Sequence, residues 1–163
     1  MNSLEHLNDE ALTQRLAAAR AAVNAPSLLA QLEAEHQRRH TQQQKEVAER
    51  DALLKKLIAQ RDEYRARFWT SIGTLDVTAP SDTGPLIEAA YTVGRQAHAL
   101  AHDLAGITGD RHLGLPWDVT DQLELHGGQA GKSFVANLRG HSTTVPTPWK
   151  ADVERLRAIW GTS

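Results

Sequence analysis

The chain has 163 residues, 40% of them hydrophobic, a formal net charge of −2 and no cysteine. Without cysteine there are no disulfides and no thiolate chemistry, and a nearly balanced charge gives no electrostatic case for nucleic acid as the main partner. No apolar run approaches the roughly 20 residues of a membrane-spanning helix, and residues 1–10 carry an early acidic cluster and no apolar stretch, unlike a secretory signal. The expected setting is cytoplasmic, or a virion if the chain is virus-encoded.

The first predicted element is a helix over 8–24, with Asn8 as its cap and Leu12, Leu16, Ala19 and Val23 on one face. Asn24, Ala25, Pro26 and Ser27 punctuate it, and Pro26 suits the first residue of the next helix. So short a connection favours an antiparallel helical hairpin, with a gentle corner as the alternative.

That next helix is the dominant feature. Between Pro26 and Gly73 there is neither proline nor glycine, so 27–72 reads as one helix of about 69 Å at 1.5 Å per residue. At about 100° per residue, Leu28, Leu29, Leu32, Val47, Leu54, Leu57, Ile58, Tyr64, Phe68, Trp69 and Ile72 share one arc. Val47, Ile58 and Trp69 recur every eleven residues, which suits a nearly straight bundle better than a strict heptad coiled coil. In mid-helix the same face carries His36, Arg39, His40 and Gln43, where a dry core cannot continue. The preferred explanation is a solvated stretch held by Glu35 with Arg39, Glu46 with Arg50 and Asp51 with Lys55. A sharper alternative has His36 and His40 meeting their copies in an oligomer and fixing register. A metal at that pair ranks below both, because two ligands leave the rest to come from elsewhere. Basic residues point in many directions around the rod, whereas a DNA-binding helix gathers them on one face.

Residues 74–84 read as a loop, with Pro80 and Gly84 among small polar residues. A helix over 85–105 follows, burying Leu86, Ala90, Val93, Ala97, Leu100, Ala101 and Leu104 and ending at Gly106. The Gly-rich segment 107–148 is irregular. Within it, 118–126 is preferred as a helix capped by Asp118 and stopped by Gly127 and Gly128, over a hairpin of strands 123–126 and 133–138. A last helix is predicted from Thr147 as cap and Pro148 as first residue to Gly161, with Trp149, Val153, Leu156 and Trp160 inward. Trp117, Trp149 and Trp160 are expected to pack against the Tyr64–Ile72 end of the rod.

Two motifs invite chemistry. Gly127 to Ser133 ends in Gly-Lys-Ser like a phosphate-binding loop, but His126 stands where that motif requires its first glycine. On the 85–105 helix, Glu88, Tyr91, Arg95, His98 and His102 share a face, and His98 and His102 are one turn apart, with Asp103 and His112 nearby. No completing pattern such as H-E-x-x-H accompanies them.

The sequence thus predicts a mainly α protein: a helical hairpin or rod over 1–73, a linker over 74–84 and a small, mostly helical domain over 85–163. The function it supports is non-enzymatic, that of a structural or assembly protein that oligomerises with itself or docks on a larger complex such as a virion. Association would use Leu28, Leu29, Leu32, Val47, Leu54, Leu57 and Ile58, with no cofactor, catalytic residue or metal. The alternatives are a metal-dependent helical-bundle enzyme using His98 and His102, and a nucleic-acid-binding adaptor.

Overall fold

The computed structural model describes residues 8–21, 26–75, 83–138 and 144–161. The protein is mainly α: among the described residues there are helices α1 (Asp9–Ala21), α2 (Pro26–Leu75), α3 (Thr83–Thr108), α4 (Val119–His126), α5 (Gly128–Leu138) and α6 (Lys150–Trp160), one 3-10 turn at Arg111–Leu113, and no strand. The chain forms two compact units, Met1–Glu49 and Arg50–Ser163, and the boundary between them falls inside α2.

In the first unit α1 folds back antiparallel on the start of α2. Asn8 caps α1, its Oδ1 accepting from the Ala11 amide at 2.8 Å. Leu12, Leu16 and Ala19 close over Leu32, with Leu29 partly buried beside them. Polar contacts set the direction: Arg20 pairs with Glu33 at 3.2 Å, and Asp9, about three turns earlier, pairs with Arg39 at 2.8 Å. The hairpin is therefore the arrangement adopted. Val23 lies outside the described residues.

The second unit is built on the other half of α2, where Leu57, Tyr64, Phe68 and Ile72 are buried with Ile87, Ala97, Leu100 and Leu104 of α3. Each large side chain fully buried there contributes about 1.5–3 kcal/mol of hydrophobic stabilisation. α2 does not stop at Gly73 as the glycine suggested but runs on to Leu75, which is itself buried. α3 likewise begins before Pro85 and continues through Gly106 to Thr108. In both helices tertiary packing outweighs the weak helix propensity of glycine, a handicap of only about 1 kcal/mol. Of the expected buried face of α3 only Leu86 is half-exposed, and Ile87, Gly94 and Tyr91, the last read with the polar face, are buried as well.

Gly94 permits this packing, since a Cβ there would stand 2.7 Å from Val119 Cγ1 of α4 and 2.8 Å from the Phe68 ring. α4 starts as read from the sequence, with Asp118 as its cap. The following segment differs: 128–138 is helix α5, not part of a hairpin of strands. Gly128, at φ 59°, supplies the left-handed residue that reverses the chain between α4 and α5.

α6 is antiparallel to α2, for Lys56 Nζ meets Asp152 Oδ2 at 2.7 Å and Tyr64 meets Trp149 with ring centroids 5.6 Å apart. It begins at Lys150, three residues after the predicted cap, with Lys150 N donating to Thr147 O and no side-chain cap. Two of the three tryptophans pack as expected: Trp149 is 1% exposed, and Trp117 stacks on Phe68 at 5.1 Å and 9°. Trp160 does not. The antiparallel run of α6 carries it to the other end of this contact, where the Arg50 guanidinium lies 5.2 Å from its ring centroid.

Candidate functional site

The association residues read from the sequence fall into two groups. Leu32 and Leu57 are 1% and 0% exposed and are covered by their own chain, while Leu29, Leu54 and Ile58 are partly buried at the edges of the two cores. Leu28 and Val47 are 45% and 46% exposed, so these two present apolar surface outward. Around Val47 every residue from His36 to Ala48 is exposed except Arg39 and Glu46.

Arg39 is the organising charge of this stretch. Its Nε donates to Glu35 Oε1 at 2.8 Å and its Nη1 to Asp9 Oδ1 at 2.8 Å, tying two turns of α2 to the start of α1. Glu35 also receives Arg38 through two bonds of 2.8 and 2.9 Å. Hydrogen bonds from Arg38, then Arg39, hold its carboxyl down at a pKa of about 2. Of the three intrahelical pairs expected, only Glu35 with Arg39 forms as drawn; Glu46 accepts from Gln42, and Asp51 from Arg50. His36 and His40, one turn apart, line a hollow of about 90 Å³ with Asp9, Leu12, Thr13, Arg39 and Gln43.

The second constellation lies on α3. Arg95, His98, Ala99, His102 and Asp103 recur at helical spacing and, with Asp118 and Val119 from the start of α4, line an open cleft of about 400 Å³. Asp118 is anchored as the α4 cap by the Thr120 hydroxyl and by the Thr120 amide at 2.8 Å. Those bonds, the hydroxyl foremost, hold its carboxyl below the usual range, with the neighbouring His98 adding to the effect. Asp103 accepts from Trp149 Nε1 at 3.4 Å and faces Arg157 at 3.9 Å, so it is turned partly toward α6. Arg95 donates to the Tyr91 hydroxyl at 3.2 Å. Glu88 and His112 are not among the residues lining the cleft. Among the described residues no group of three or more His, Asp or Glu side chains is placed to hold a metal ion. The sequence identified the histidines but took Asp118 only as a cap, since the approach of α4 to α3 has no local signal.

The Gly-Lys-Ser sequence is helical. Gly131 N donates to Gly127 O at 2.9 Å, and Lys132 and Ser133 are exposed on α5. A Cβ at Gly127 would stand 2.5 Å from the Leu123 carbonyl oxygen and one at Gly131 would overlap it. These glycines let α5 pack on α4, and the Gly131 amide is spent on the Gly127 carbonyl.

Among the described residues, no helix is long and apolar enough to cross a membrane. No protein-family model, curated protein or solved structure matches the chain.

Proposed function

We propose that the protein is a non-enzymatic assembly component that associates with copies of itself, or with a larger complex, through the amino-terminal half of α2. The observation that carries this reading is the exposed run from His36 to Ala48, which keeps helical structure while presenting Val47 to solvent. Isolated helical turns are marginal in water and draw most of their stability from packing an apolar face. α1 covers Leu29 and Leu32 and reaches along α2 as far as Gln43, where Gln43 Nε2 donates to Asp9 Oδ2 at 3.1 Å. Beyond it Val47 has no such cover within the first unit. A partner laid along this face would complete the stripe that α1 begins. A virion is one particle that would use such a subunit.

The test is the solution mass of the whole chain by light scattering over a range of concentrations, beside Val47→Asp. A dimer or higher species that dissociates in the variant, with helix content unchanged, is the expected result. A monomer at every concentration that captures no larger complex removes the proposal.

A further inference from the structure

Among the described residues of the second unit two large apolar side chains are exposed, Trp69 at 37% and Leu125 at 71%. Single exposed apolar residues are ordinary, but these two fall together: Trp69 meets the His126 ring with centroids 6.0 Å apart, and Leu125 precedes His126 on α4. Trp69 is also held edge-on by Phe68 at 5.2 Å and Trp117 at 5.6 Å, so an incoming surface finds it already ordered. Leu125 stands roughly 120–160° around α4 from the buried Val119 and Leu123, on the outer side. The two halves of this patch differ in charge. On α2, Arg65 is exposed one turn before Trp69, and its side chain joins no hydrogen bond or ion pair among the described residues. Asp62, the next charge on that flank, is already bonded by Arg61 at 2.8 Å. On α4, Asp121 is exposed one turn before Leu125, and the helix adds a second acid, Glu124, with no lysine or arginine.

We infer that this patch, Trp69 with Arg65 on one side and Leu125 with Asp121 on the other, receives a second copy of the chain about a two-fold axis near His126. Such an axis lays the basic α2 half of each chain on the acidic α4 half of its partner, so that Trp69 meets the partner's Leu125 and Arg65 the partner's Asp121, each twice. A two-fold interface requires a surface that fits itself in this way, and opposite charges across it select the partner and its register. A rigid tryptophan beside an arginine is the kind of anchor that dominates binding. The patch is small for a stable dimer, so the contact is weak alone. The inference rests on the assembly role proposed above and adds to it a surface distinct from the one at Val47. Two separate self-contacts carry association beyond a dimer, because a pair joined at one surface keeps the other open.

The experiment is sedimentation of the whole chain over a range of concentrations. Leu125→Asp, Arg65→Asp and Asp121→Arg should each weaken self-association at least about tenfold, a change of about 1.4 kcal/mol, with helical signal kept because all three sites are exposed. Mixing Arg65→Asp chains with Asp121→Arg chains should restore association, since each unlike pair again sets opposite charges together; damage confined to one chain gives no such rescue. Val47→Asp should reduce larger species to dimers, and adding Leu125→Asp should reduce those to monomers. A species that Val47→Asp takes to monomer and Leu125→Asp leaves intact would overturn this patch and keep the α2 contact. The reverse pattern would keep the patch and remove the α2 contact. A mixture of the two charge variants that stays monomeric would overturn the two-fold pairing, and an unaltered chain monomeric at every concentration would overturn both self-contacts.

Discussion

Gly94 of α3 and Val119 of α4 approach so closely that a methyl group on the glycine would lie 2.7 Å from Val119 Cγ1. The Phe68 ring blocks a second direction at 2.8 Å, and both obstacles are buried in the core. Gly94→Ala should therefore destabilise the protein by about 1–3 kcal/mol, as overpacking does. Gly73→Ala, where nothing lies within 4 Å of the new methyl, should be neutral or stabilising by up to about 1 kcal/mol. Thermal melts of the two variants side by side check both the packing and the continuation of α2 through residue 73.

Gly131→Ala should destabilise for the same kind of reason, because its methyl would overlap the Leu123 carbonyl oxygen, which is backbone and has nowhere to move. Lys132→Ala, on the exposed side of α5, should leave the melting temperature unchanged. Adding ATP or GTP with magnesium should shift neither protein. A nucleotide-induced rise lost in Lys132→Ala would show that the glycines serve a phosphate after all.

Leu57 and Val47 separate the fold from association. Leu57→Ala removes a fully buried side chain from the second unit and should cost about 2–5 kcal/mol of stability. Val47→Ala acts at a site 46% exposed and should change stability by less than about 0.5 kcal/mol. Chemical denaturation at a single protein concentration distinguishes the two.

Acid should loosen the Arg38, Glu35, Arg39 and Asp9 network. The Glu35 carboxyl is held at about 2 in the folded chain, below its ordinary value of 4.5. Its contribution is therefore complete above the ordinary value and is lost as pH falls from there through about 2. Glu35→Gln should weaken that part of the acid dependence, measured by helical signal between pH 5 and 2. Added salt should reduce the effect, since the network is open to solvent.

Asp118→Ala should destabilise α4 by about 0.5–2 kcal/mol through loss of its cap, and Asp118→Asn should recover most of that.

The helices with strong local signals were legible in the sequence. An apolar period, a cap at Asn8 or Asp118 and a stop at Gly127 or Gly161 are properties of neighbouring residues, and the structure reproduces them. What the sequence hid depends on residues far apart along the chain. Gly131 read only as part of an irregular Gly-rich segment, yet it lies inside α5 and marks the close contact of that helix with α4. Leu57 and Val47 looked equivalent on the helical wheel, but Leu57 shares its core with α3 and α6, whereas Val47 is 46% exposed. The cleft shows the same division: His98 and His102 follow from helical spacing, whereas Asp118 joins them through the meeting of two helices.

The contact between Lys56 and Asp152 spans 96 residues of sequence, and Tyr64 waits nearly as long for Trp149. The α1 to α2 hairpin needs only local pairings of the kind between Arg20 and Glu33. Local contacts form fast, and distant ones must await the closing of long loops. At about 5–20 residues per second of synthesis, the partner strip of α2 is exposed for on the order of 5–20 s before α6 is made. Tyr64 is thus part of the surface that a nascent-chain chaperone would meet, and a transcript broken before Trp149 would leave it without that ring partner.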